Sequence, residues 1–141
     1  KNDLRKFGPY SVRTGWQLDE NISEWSTPAR WLDSVALVDG NRGELLLLDP
    51  GSGKVKTRTL LGTTARLFAP PIAAGRFLSL IAEDGTLLVV RLHQGNPRVS
   101  DRRAFNQTPC RTTITVAVNQ HLCRHRTQLS CFRNSQPAAR N

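Results

Sequence analysis

Two histidines and two cysteines near the C-terminus have the residue types of a metal site. His121, Cys123 and His125 alternate along the chain, so on a β-strand all three side chains would point to one face. Cys131 would lie about opposite Cys123, across a turn centred on Thr127. Imidazole and thiolate are the usual ligands of zinc. These four residues are therefore the weak zinc candidates of the chain, although ligands two residues apart on a flat strand converge poorly.

The same strand pair also predicts a disulfide. Cys123 and Cys131 would face each other across the turn and could form a cross-strand bond in an oxidising compartment. Cys110 would then remain as a free thiol. Simple packing within a sheet is favoured over the disulfide, and the disulfide over zinc.

The elements that must position these residues recur along the chain. Three segments share one plan, a short apolar strand, a turn and a second short apolar strand, at a spacing of about 42 residues. They run from 28 to 49, from 71 to 91 and from 113 to 133, with a glycine or its replacement at Gly43, Gly85 and Thr127. A period of about 40 to 45 residues with about four strands per unit is typical of a β-propeller blade. We therefore predict an all-β fold of about three four-stranded antiparallel blades, as a partial or oligomer-completed ring.

The repeat predicts the domain boundaries and the strands. Residues 1–25 form an N-terminal strand and loop segment, residues 26–134 the three repeats (26–68, 69–110 and 111–134), and residues 135–141 a tail. Aliphatic and β-branched residues between turn formers predict the strands. The predicted strands are 10–16, 32–38, 44–48, 55–60, 77–81, 86–92, 99–105, 114–118, 121–124 and 129–132.

Short motifs within the units carry a family resemblance. The first unit has Ser26-Thr27-Pro28, an aliphatic strand ending at Asp49, and Gly51-Ser52-Gly53-Lys54; the second has Ala69-Pro70-Pro71 and Asp84-Gly85-Thr86-Leu87. This pattern resembles the PQQ-type β-propeller repeats of quinoprotein dehydrogenases and of the non-enzymatic BamB-like assembly lipoproteins. The family usually places a tryptophan after Gly-Lys to dock one blade on the next, and this chain has Lys56-Thr57-Arg58-Thr59 there.

The resemblance implies a function and a location. It indicates the C-terminal blades of a longer propeller, or two copies that together make a six-bladed ring. It implies a protein-interaction scaffold that is extracytoplasmic, either periplasmic or secreted, with no cofactor. A fragment of a quinoprotein dehydrogenase, with calcium and the quinone, is an alternative. Most acids of this chain fall in turns, and it has neither a haem motif CxxCH nor a vicinal cysteine pair, so we predict that it is not an enzyme.

The charge of the chain indicates the chemistry of a partner. The net charge is +9, and residues 98–141 contain eight arginines, no lysine and a single acid, Asp101. A basic surface of this kind suits an acidic protein. A nucleic-acid-associated module using the same arginines through phosphate contacts is the alternative function. A solvated face that protects an edge strand is the simplest structural explanation.

Six residues are the predicted partner-binding set. Propellers bind through loops at the two ends of their channel, which favours the turns at 39–43, 83–86 and 124–127. Tryptophans clustered before and at the start of the first blade are explained by packing or by an aromatic binding patch. The set is Arg124, Arg126, Arg42, Asp84, Trp25 and Trp31.

Overall fold

Three antiparallel sheets follow one another along the chain. The computed structural model describes residues 14–19, 26–104, 114–117, 120–125 and 128–133. Within these residues all regular structure is β-strand, and no helix is long and apolar enough to cross a membrane. Every sheet keeps its strands in chain order, so each strand turns back on the one before it.

The eleven strands divide between the sheets without crossovers. Sheet 1 is β1 (Ala29–Trp31), β2 (Ser34–Asp39), β3 (Glu44–Leu48) and β4 (Val55–Leu60). Sheet 2 is β5 (Ile72–Ala74), β6 (Phe77–Ile81), β7 (Thr86–His93) and β8 (Asn96–Ala104). Sheet 3 is β9 (Ile114–Ala117), β10 (Gln120–His125) and β11 (Gln128–Arg133). The first strands are neighbours, since β1 contacts β5 and β5 contacts β9.

The antiparallel order gives the stack two ends. The chain crosses from one sheet to the next at the end that also holds the β2–β3, β6–β7 and β10–β11 turns, which we call the linker end. The β1–β2, β3–β4, β5–β6 and β7–β8 turns lie at the other end, which we call the hairpin end. Backbone hydrogen bonds hold the linker between sheets 1 and 2 against the linker-end turns, from Leu67 N to Gly40 O and from Glu83 N to Arg66 O.

Alternating apolar residues build a core between each pair of sheets. Ala36 and Val38 of sheet 1 face Leu78, Leu80 and the rest of a buried cluster shared with sheet 2. The other face of sheet 2 presents Ile81 and Leu87 to Ile114 of sheet 3. The full first cluster is Trp31, Ala36, Val38, Leu45, Leu47, Leu61, Leu67, Leu78, Leu80, Ala82, Leu88 and Val90. Sheet 2 is apolar on both faces because it has a neighbour on each side.

A polar connection also links sheets 1 and 2. Arg102, on β8, donates from its two terminal nitrogens to Gly62 O at 2.7 Å and to Leu61 O at 2.8 Å. These carbonyls belong to the linker that leaves sheet 1. One guanidinium therefore satisfies two backbone acceptors at the crossing between the sheets.

The predicted strands differ from the observed ones mainly in sheet 1. The strand expected at 32–38 begins only at Ser34, because Leu32 takes a left-handed backbone (φ 55°) and turns the chain between β1 and β2. The short strands β1 and β5 were not predicted, and the loop expected at 94–97 is a two-residue turn at Gln94 and Gly95. Thr14–Asp19 has no regular structure, so the strand expected at 10–16 does not reach Trp16; its remainder lies outside the described residues.

Candidate partner-binding surfaces

The histidine and cysteine candidates do not share one face of sheet 3. In the register of β10 and β11, Cys123 lies opposite Ser130 and Cys131 lies opposite Leu122. Adjacent positions on a strand point to opposite faces, so Cys131 is on the face away from Cys123. Cys131 is exposed and free, and its thiol donates to Gln120 Oε1 at 3.3 Å. The expected disulfide therefore does not match the register.

The zinc prediction differs from the structure for the same reason. His121 is buried between sheets 2 and 3, so it points to the opposite face from Cys131. Within the part of the chain that the structure describes, no three histidine, cysteine or acidic residues are grouped to hold a metal ion. His125 lies on β10 opposite Gln128. Cys110 lies outside the described residues.

Arg42 is an exposed cation at the linker end. It lies in the β2–β3 turn, where its Nε is 3.5 Å from Oδ2 of Asp39 and its side chain is 61% exposed. Asp39 is buried and its Oδ1 accepts hydrogen bonds from Asn41 N and Arg42 N. Asp39 thus holds the turn, as acids at this position commonly do, and leaves the guanidinium facing solvent.

Two more of the predicted charges lie at the same end. Asp84 is exposed in the β6–β7 turn, and its Oδ1 accepts from Thr86 N at 2.9 Å. Arg124 lies on β10 opposite Leu129, near the end of the strand. Arg126 lies outside the described residues. Arg42, Asp84 and Arg124 therefore belong to the linker end of three successive sheets.

Trp31 was predicted as a partner-binding residue, and that prediction is wrong. Its side chain is only 1% exposed, and it packs in the cluster between sheets 1 and 2. It is the last residue of β1. A ring at this depth cannot contact a partner. Trp25 lies outside the described residues.

Trp16 makes a contact that the sequence did not predict. Its indole Nε1 donates to Pro50 O at 2.9 Å, and its ring covers Gly53 in the β3–β4 turn. A Cβ on Gly53 would lie 2.4 Å from Cε3 of that ring. Trp16 thus docks on sheet 1 from an earlier part of the chain. Trp16 and Pro50 are 34 positions apart in the sequence, so no local pattern pointed to this contact.

His121 joins sheets 2 and 3 through a polar contact. Its Nε2 shares a hydrogen bond of 3.1 Å with Oγ of Ser79, and both residues are buried. Burial, together with the nearby positive charge of Arg103, lowers the pKa of His121 below its ordinary value of 6.5. Arg103 itself is paired with Asp101 at 3.0 Å. The neutral imidazole is therefore the form that this interface accommodates.

We expect His121 to make stability depend on pH near neutrality. Because the pKa of His121 is lowered by folding, the unfolded chain binds its proton first as the pH falls. This contribution to stability is complete above about pH 6.5 and is lost progressively below it. His121→Gln should flatten the dependence of urea midpoint on pH between about 5 and 7. His93→Gln, at an exposed position on β7, is the control, and a slope unchanged by His121→Gln would contradict the prediction.

Sheets of this arrangement define a class of fold. Sheets 1 and 2 have four antiparallel strands and sheet 3 has three among the described residues. Units of this kind that follow one another in sequence, pack face to face and bring their first strands together are the blades of a β-propeller. The predicted all-β propeller fold is confirmed. The ring is not closed, and Leu129 on the outer face of sheet 3 is 71% exposed.

Comparison with solved structures gives a particular neighbour. The chain is similar to BamB from Moraxella catarrhalis, with a TM-score of 0.62 and 21% sequence identity. The superposition covers 84% of this chain and 36% of the BamB chain, so the chain spans little more than a third of that protein. No family model matches the chain, and no curated protein does. The resemblance to BamB-like propellers is confirmed at the level of the fold.

Proposed function

We propose that this chain is a non-catalytic propeller scaffold that binds protein partners through the ends of its sheets. The observation that carries the proposal is the placement of exposed charge on the linker-end turns of successive sheets, whose cores pack together. Arg42 is the clearest case, since Asp39 fixes its turn from below. The similarity in fold to BamB supports the class of function. An extracytoplasmic location is part of the same proposal and has the same support.

A crosslinking experiment tests the scaffold function. A photoreactive amino acid would replace Arg42 at the linker end, Arg76 at the hairpin end, or Ser100 on the edge strand β8. We expect a defined protein adduct in the chain's own cells from an end position and none from Ser100. Adducts with nucleic acid alone would favour the alternative module that contacts phosphates. Protein adducts spread equally over all three positions would overturn the proposal.

We also propose that further blades complete the open ring. The open face of sheet 3 carries Leu129, which is 71% exposed, and unpaired apolar faces favour association. Light scattering on the purified chain separates the two sources of those blades. A stable dimer of twice 15.7 kDa supports completion by a second copy, whereas a monomer assigns the missing blades to a longer chain.

A further inference from the structure

The hairpin ends of sheets 1 and 2 have matching backbones. Leu32 in the β1–β2 turn has φ 55°, and Gly75 in the β5–β6 turn has φ 56°. Counting from these two residues, Asp33 and Ser34 of sheet 1 correspond to Arg76 and Phe77 of sheet 2. The correspondence extends across the strands: Asp49 and Lys54 at the β3–β4 turn match Arg91 and Arg98 at the β7–β8 turn.

The charged side chains at the hairpin end of sheet 1 neutralise one another. Lys56 Nζ lies 3.5 Å from Asp33 Oδ2 and 3.9 Å from Asp49 Oδ2, and 3.3 Å from the hydroxyl of Ser34. The hydrogen bond from Ser34 and the charge of Lys56 lower the pKa of Asp33, and the Ser52 hydroxyl and amide lower the pKa of Asp49. Acids and lysines therefore balance at this end of sheet 1.

The charged residues at the matching positions of sheet 2 are all positive. Phe77 lies opposite Arg91 on β7, and Arg91 lies opposite Arg98 on β8, so the three form one row across the sheet. The guanidinium of Arg76 lies over the Phe77 ring, 5.9 Å from its centre. All four side chains are exposed, with Phe77 at 42%. We call Arg76, Phe77, Arg91 and Arg98 the arginine row.

The described part of the chain supplies no counter-ion to the arginine row. Among the described residues, no carboxylate lies within ion-pair distance of Arg76, Arg91 or Arg98. Like charges placed directly opposite on neighbouring strands destabilise a sheet. The fold thus keeps an unfavourable pair where sheet 1 has opposite charges, and an external anion would relieve the repulsion.

We propose that the arginine row binds an acidic, partly apolar segment of a protein partner. Three guanidiniums along a row roughly 10 Å long suit two or three carboxylates. Phe77 offers its uncovered ring face to an apolar side chain between them. The inference rests on the scaffold function proposed above and names the surface and the chemistry of its partner.

Two observations favour an acidic segment over nucleic acid. Phe77 is the sole exposed large aromatic residue among the side chains that the structure describes, and binding of single strands uses several stacking aromatics. The adjoining hairpin end of sheet 1 carries Asp33, with its side chain 83% exposed, and Asp49. Because these carboxylates balance the lysines there, the net positive surface ends at sheet 2 and fits a short segment rather than a continuing phosphate backbone.

Anisotropy with the purified chain tests the row. The probe is a fluorescein-labelled octapeptide, Glu-Glu-Leu-Glu-Glu-Leu-Glu-Glu, and duplex DNA is the competing ligand. Arg91→Asp should weaken peptide binding by about tenfold, as expected when a charge-assisted hydrogen bond is lost. It also restores the acid found at Asp49, so the variant should melt no lower than the parent chain. Arg66→Glu, an exposed arginine at the linker end, is the control with the same change of charge and should alter affinity less than about twofold.

The outcomes separate this inference from the scaffold function. Weaker peptide binding in Arg91→Asp and Phe77→Ala, with affinity kept in Arg66→Glu, supports the arginine row as the binding surface. Equal losses of affinity in Arg91→Asp and Arg66→Glu would show that net charge alone attracts the peptide and would overturn the inference. Displacement of the peptide by DNA that binds more tightly would also overturn it. Overturning it leaves the scaffold intact if the crosslinks from Arg42 persist.

Discussion

Trp31→Ala is expected to lower the free energy of unfolding by about 3–5 kcal/mol. The side chain is 1% exposed and lies among Ala36, Leu47 and other residues of the cluster between sheets 1 and 2. Truncation would remove its buried area and leave a cavity that two close-packed sheets cannot fill. Urea denaturation followed by circular dichroism would measure the loss.

A conservative substitution separates packing from binding at Trp31. Trp31→Phe should cost much less, because most of the ring volume remains and no described group accepts a hydrogen bond from the indole Nε1. Crosslinking from Arg42 should be unchanged in Trp31→Phe. A stable Trp31→Ala variant that had lost partner binding would instead make the tryptophan a recognition residue.

Gly53→Ala is the second large effect, expected to cost about 2–4 kcal/mol. Gly53 has φ +70°, which a side chain disfavours, and a Cβ there would lie 2.4 Å from Cε3 and 2.5 Å from Cδ2 of Trp16. The indole would have to leave the turn and give up its hydrogen bond to Pro50 O. The unfolding free energy and the fluorescence of the tryptophans would both report the displacement.

Gly95→Ala supplies the matched control. Gly95 also lies in the turn between the third and fourth strands of its sheet and has φ +80°, but a Cβ there would meet no atom within 4 Å. Its variant should lose only about 1–2 kcal/mol, for the backbone conformation alone. Adding Trp16→Ala should reduce the cost of Gly53→Ala to that of Gly95→Ala. Equal costs at both glycines in the parent chain would mean that Trp16 does not pack on Gly53.

The repeat and most strands could be predicted from the sequence. Apolar runs such as Leu45–Leu48 and Phe77–Ile81 predict strands that are covered on both faces, and the structure has strands there. The break at Leu32 could not be predicted, because leucine rarely adopts a positive φ. The predicted register of Cys131 was wrong by one residue, and a shift of one residue moves a side chain to the other face of the sheet.

The binding surfaces were predicted less well than the fold. Arg42 and Asp84 lie in exposed turns, as expected, because turn residues are recognisable by composition; their role in binding stays a prediction. The arginine row was not predicted, because Phe77, Arg91 and Arg98 are far apart in sequence and meet only in the register of three strands. Its contrast with Asp33 and Asp49 needed the matched turns of two sheets.

The shared geometry of the Leu32 and Gly75 turns has a consequence for how this chain could diversify. Both turns keep φ near 55°, although one holds a leucine and the other a glycine. The backbone is thus common to the two sheets, while the side chains around it form a balanced set in one and include three arginines in the other. A repeat of this kind holds more than one copy of the same end, and each copy can carry its own specificity without disturbing its neighbours.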